Sequence, residues 1–199
     1  MHIPDGYLSP STCAGLYVAA APFWYVALRR VKAVLQTRAL SLLAVFAAFS
    51  FLIMTFNLPL PGGTTGHAVG MATATIVLGP AMSILAISIA LLVQALFFGD
   101  GGITAFGANS FNMAIVGSLT AFCVYRLLAW KSETTSVRRA LAAGLAGYVA
   151  INLAAGHNAA CVSREFSGLA SFSIARNTLT HPLADPSHIL VTPCEILRS

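Results

Sequence analysis

ALSLLAVFAAFSFLIMTFNLPLPGGTTGHAVGMATATIVLGPAMSILAISIALLVQALFFG, running from Ala39 to Gly99, contains no Asp, Glu, Lys or Arg. Soluble domains carry about one charged residue in four, so an uncharged run of this length belongs in a lipid bilayer. A membrane-crossing helix takes about 20 mainly apolar residues. The run is therefore expected to hold three passes, one of them short. The rest of the chain has the same character: of 199 residues, 57% are hydrophobic and 9% charged. One all-α, polytopic transmembrane helical bundle of about six helices is the fold expected, by the same span length.

Upstream of the run, a first helix is expected from about Ser11 to Leu28, with Ser9-Pro10-Ser11-Thr12 as its start signal and Pro22 as a kink point. Arg29, Arg30, Lys32 and Arg38 follow as a basic loop, which the positive-inside rule assigns to the cytoplasm. The N-terminus then lies outside. A second helix covers about Ala39 to Phe56, and the Pro/Gly cluster from Pro59 to Gly63 ends it. His67 heads a short third segment that closes near Gly79-Pro80. Helices over about Met82–Phe98, Ser110–Trp130 and Ala140–Ala155 complete the count. The loop Lys131 to Arg139 is basic again and falls on the same side as the first basic loop, so the topology is self-consistent.

The formal charge of +5 does not point to nucleic acid, because the basic residues of the first three-quarters sit mostly in those two loops. Cys13, Cys123, Cys161 and Cys194 show no metal-ligand spacing and no disulfide framework. Residues 156–199 contain Arg164, Glu165, Arg176, Asp185, Glu195 and Arg198 and offer no window that reads as a span. This tail is expected to be atypical, a frameshifted or truncated continuation of the 1–155 membrane domain.

The chemistry concentrates at the beginning. Met1-His2-Ile3-Pro4-Asp5-Gly6-Tyr7 has neither the basic start nor the apolar run of a signal peptide. With Met1 retained, its α-amine, the His2 backbone nitrogen and the His2 ring nitrogen close two fused chelate rings on one cation. His67, on the same side of the bilayer, is the candidate for the fourth corner. A planar all-nitrogen set suits Ni(II) or Cu(II), with Co(II) next, better than Zn or Mg. Asn57, Asp100, Asn109 and Asn112 lie at helix ends, where they either satisfy orphan backbone groups or orient a ligand imidazole. Gln94 reads as an interhelical hydrogen-bonding residue, and His157, His181 and His188 are not read as ligands.

Four motifs in order resemble the CbiM/NikM family, the cobalt- and nickel-binding membrane subunits of energy-coupling factor transporters. They are Met1 to Ser9, Pro61-Gly62-Gly63-Thr64-Thr65-Gly66-His67, Phe98 to Gly102, and Gly107-Ala108-Asn109-Ser110-Phe111-Asn112-Met113. The resemblance covers residues 1 to about 155. It implies a substrate-binding bundle with an additional N-terminal helix, a metal held by Met1, His2 and His67, and Co(II) or Ni(II) as transported ligand with no cofactor. The implied partners are a transmembrane coupling subunit, two ATP-binding-cassette ATPases and often a small CbiN/NikN-like membrane protein. The sequence has no Gly-x-x-x-x-Gly-Lys-Ser/Thr loop, no His-Glu-x-x-His and no Gly-x-Ser-x-Gly elbow, so no enzymatic activity of its own is expected. A stand-alone divalent-metal carrier or channel is the competing reading.

Overall fold

The computed structural model describes residues 2–33, 37–56, 58–60, 64–133 and 136–180. Backbone packing divides the chain after Val162. The part up to Val162 is a helical bundle, and the part from Ser163 is described only as helix, as far as Thr180.

Helix α1 runs Pro10–Ala33 and carries Pro22 inside it. It was expected to stop at Leu28. Instead Arg30 and Lys32 form its last turn, where cations complement the negative end of the helix dipole. Helix α2 spans Thr37–Met54. The loop expected after it contains two short antiparallel strands, β1 (Leu58–Leu60) and β2 (Thr64–Gly66), with Leu58 opposite Gly66. His67 does not head helix α3, which covers Met71–Leu78. Gly70 precedes it with φ of 77°, a left-handed conformation that ends one backbone direction and starts another. His67 therefore sits on irregular chain between ribbon and helix.

Helix α4 starts at Pro80, where a missing N–H costs nothing, and runs to Val93 before widening into a π-helical turn, Gln94–Phe98. The fifth expected helix begins four residues earlier than foreseen. It is assembled from α5 (Phe106–Asn109), a π-helical stretch (Ser110–Val116) and α6 (Gly117–Leu128). Helix α7, Val137–Thr180, passes the expected end at Ala155. Arg164 and Glu165 make the tail less apolar without disfavouring a helix. No proline interrupts it before Pro182, and a continuous span candidate covers Val137–Ser167.

Helix α4 is the hub, packing against α1, α2, α3 and the Ser110–Val116 stretch. Its small residues Ser83, Ala86, Ser88 and Ala90 are buried, which lets neighbouring backbones approach closely. Ser83 binds the hydroxyls of Thr75 and Ser118, both at 2.9 Å, and joins α4 to α3 and α6. Trp24 on α1 donates its indole N–H to Ser88 at 3.0 Å. The outward positions are apolar instead: Val18, Val45, Leu52, Phe97, Leu127 and Leu141 are all exposed. Polar groups inside and apolar groups outside is the distribution a bilayer demands. Among the described residues, four helices are long and apolar enough to cross one, and Ala39–Met54 is a shorter apolar helix.

Candidate metal centre

The segment before α1 turns back onto the bundle because two polar side chains hold it there. Ile3 is buried in a cluster with Leu8, Cys13, Ala105 and Ala108. Its N–H donates to Asn109 Oδ1 at 2.9 Å, and its carbonyl accepts from Asn109 Nδ2 at 3.0 Å and from the Gly102 N–H at 3.1 Å. Asp5 accepts from the Ile103 and Thr104 N–H groups at 3.2 and 2.8 Å and from the Thr104 hydroxyl at 2.5 Å. That hydroxyl, with the backbone donors, lowers the Asp5 pKa below its ordinary value.

His2 is fixed between these anchors. Its side chain is 3% exposed, and its Nδ1 lies 3.0 Å from Asp100 Oδ1. This hydrogen bond, more than any other contact, lowers the Asp100 pKa. The ring of His67, 4% exposed, stacks on that of His2 with centroids 4.8 Å apart and planes at 29°. Gly101, at φ of 88°, passes so near that a Cβ there would stand 3.2 Å from the His2 Cβ. His67 Nδ1 donates to the Ala68 carbonyl at 3.2 Å, so its lone pair is on Nε2. The same logic puts the His2 lone pair on Nε2. Both Nε2 atoms are buried and find no hydrogen-bond partner among the described residues. Burial, reinforced by the neighbouring His2, lowers the His67 pKa from 6.5 to about 4. A desolvated imidazole whose Nε2 has no hydrogen-bond partner among the described residues, as in His67, is a good donor to a cation.

Asp100 thus reaches His2, whereas Asn109 reaches the backbone of Ile3 rather than a helix end. Asn112 goes elsewhere: it bonds His157 and Asn158. Gln94, expected to bridge helices, is 1% exposed with neither amide atom bonded among the described residues. Its carbonyl accepts the Asp100 N–H at 3.2 Å, so it stands one turn behind the residue that holds His2. Its polarity inside an apolar helix was the only signal available in the sequence. Met1, Asn57, His181 and His188 lie outside the described residues. Among the described residues, no three His, Cys, Asp or Glu side chains converge as a metal cluster.

Ring size adds a condition. Fusing a second chelate ring onto the His2 backbone nitrogen requires Nδ1, because Nε2 is too far along the imidazole to close a six-membered ring. Nδ1 faces Asp100 in this structure. Chelation through it requires the imidazole to give up that bond and turn about Cβ–Cγ.

Replacing Asn109 with alanine strands the Ile3 N–H in an apolar cluster, at a cost of roughly 1–3 kcal/mol. The N-terminal segment of Asn109→Ala is expected to be cut faster by an exopeptidase in detergent. An unchanged cutting rate would mean Asn109 is no clamp.

The sequence profile of the CbiM family, described as the cobalt uptake substrate-specific transmembrane region, matches residues 2–193. A fused nickel transport protein NikMN of Rhodobacter capsulatus is 57% identical over 155 residues, covering 78% of this chain and 45% of that protein. A probable fused nickel transport protein LarMN of Lactiplantibacillus plantarum is 47% identical, covering 78% of this chain and 46% of that protein. The chain thus spans about half the length of these relatives. A crystal structure of a transition metal transporter superposes with a TM-score of 0.76 at 42% identity, covering 81% of this chain and 70% of the other. A truncated transition metal transporter gives a TM-score of 0.75, with 81% and 74% covered.

Proposed function

Because the chain belongs to the CbiM family of cobalt-uptake substrate-specific transmembrane regions, we propose that it is the membrane subunit that captures Co(II) or Ni(II) for import. The observation that carries this reading is the buried His2–His67 pair, stacked at 4.8 Å, with the His67 Nε2 unbonded among the described residues. The donors are the Met1 amine, the His2 backbone nitrogen, His2 Nδ1 and His67 Nε2. Loading exchanges the His2–Asp100 bond for metal ligation, the Nδ1 hydrogen passing to Nε2, and Asp100 remains nearby as an anion that favours the incoming dication. Ile3 and Asp5 hold the segment so that little ordering entropy remains to be lost on binding. A donor set that displaces an amide proton favours late first-row ions and rejects Mg(II) and Ca(II), which want oxygen.

The N-terminus and this site face outward in the reading, with the basic end of α1 in the cytoplasm. Transport is driven by a coupling membrane subunit and two ATP-binding-cassette ATPases, joined by a CbiN/NikN-like membrane protein. The relatives named as fused NikMN and LarMN proteins support the last of these partners.

Liposomes containing this chain alone are expected to bind Co(II) and Ni(II) tightly while accumulating neither. Accumulation down a gradient without ATPases would favour a free-standing carrier. Absence of binding in both leaflets would remove the capture reading itself.

A further inference from the structure

A second set of soft donors lies on α7, beside the cluster that seats the N-terminal segment. His157 and Cys161 are one helical turn apart and so share a face. Cys161 Sγ lies 3.8 Å from His157 Nδ1, and Asn112 Oδ1 lies 2.5 Å from the same nitrogen. Asn112, fully buried, donates its Nδ2 to Asn158 Oδ1. That bond fixes which end of the amide faces the imidazole: the oxygen does. Cys161 packs against the cluster of Ile3, Leu8, Cys13, Ala105 and Ala108.

The spacing is that of a chelate. Late first-row ions such as zinc bind imidazole nitrogen at about 2.0–2.1 Å and thiolate at about 2.3 Å. At angles between tetrahedral and trigonal these lengths separate N and S by roughly 3.6–3.8 Å, which is the separation present here. The amide oxygen lies on the same nitrogen's open side at 2.5 Å and must back off to about 3 Å or more to share an ion with it. The buried Asn112–Asn158 pair has no role in the His2–His67 site, yet it spends two desolvated amides on orienting one exposed histidine.

We propose that His157 Nδ1, Cys161 Sγ and Asn112 Oδ1 form a second binding point for a late first-row divalent ion, weaker than the N-terminal site and adjacent to it. Binding is a simple exchange. The dication enters, the Cys161 thiol proton leaves to solvent, and the His157 hydrogen moves from Nδ1 to the outward Nε2, leaving a net charge of +1. Water completes the coordination. A thiolate and an imidazole select Co(II), Ni(II) or Zn(II) over Mg(II) and Ca(II). The inference deepens the capture reading, and rests on it for the claim that such ions reach this part of the molecule.

Co(II) is the probe, because a thiolate bound to it gives charge-transfer absorption in the near ultraviolet that nitrogen donors do not. The full chain in nanodiscs is titrated with Co(II), with a parallel sample carrying one residue ahead of Met1. The band is expected in both samples, at higher Co(II) than the N-terminal site needs in the native one. Cys161→Ser abolishes it, His157→Gln weakens it at least tenfold, and Cys13→Ser and Cys123→Ser leave it. No band in either sample overturns the proposal, as does a band that survives Cys161→Ser or is lost with Cys13→Ser. The capture reading fails separately, if the native chain shows no tight, sulfur-free binding.

Discussion

One extra residue ahead of Met1 is expected to lower the affinity for Co(II) and Ni(II) by about a thousandfold or more, equivalent to roughly 4 kcal/mol. The size follows from the number of donors affected. Extension moves the free amine one residue further from His67 and leaves in its place an amide, whose nitrogen donates only after a second backbone proton is lost. His2 Nδ1, meanwhile, already has a partner in Asp100 at 3.0 Å. The fold is untouched, because the anchors begin at Ile3: Asn109 and Gly102 hold its backbone, and Ile103 and Thr104 hold Asp5. His67→Ala removes one donor of four and is expected to cost about a hundredfold, or ~3 kcal/mol. Competition titration against a chelator of known strength measures both. An extended protein that binds as tightly as the native chain would show that the amine is no ligand.

The sequence carried the class of fold in the absence of charge between Ala39 and Gly99, because a bilayer leaves few alternatives. Helix ends were less legible. Gly70 stops the chain from being helical at His67, yet it is one of several glycines in that stretch, and only its φ distinguishes it. The continuation of α7 beyond Ala155 was hidden by Arg164 and Glu165, which lower hydropathy without disfavouring a helix. At the site, His2 and His67 announced themselves as donors. What holds them did not, because those partners are far apart in sequence. Asp100 and Asn109 read either as helix-end residues or as supports for a ligand imidazole, and nothing local says that one meets His2 and the other Ile3. The link from Asn112 to His157 is equally long-range, and it brings a histidine that the tail's composition had set aside into a defined contact.

Acidification from pH 7 to pH 5 is expected to weaken metal binding by at least about a hundredfold per unit, or ten-thousandfold in all, equivalent to roughly 5.5 kcal/mol. Two protons must leave for each ion bound, one from the Met1 amine, whose ordinary pKa is about 7.7–8.0, and one from the His2 amide. His67 adds nothing to this slope. Burial and the adjacent His2 lower its pKa to about 4, so it is already deprotonated across the range. His67→Ala should therefore shift the whole affinity curve down and leave its steepness unchanged. The same depressed pKa gives the metal-free protein a second signature. The unfolded chain takes up the imidazole proton below about pH 6.5 and the folded chain only near 4. The contribution of His67 is therefore fully present above 6.5 and is lost as pH falls towards 4, by about 1–3 kcal/mol after allowing for screening. Thermal unfolding of the metal-free protein in detergent from pH 7 to 4.5 measures it, with His67→Gln as the comparison. Parallel pH profiles for the two proteins would show that the His67 ring is solvated and protonates freely, and a solvated ring is not the preformed donor that the capture site requires.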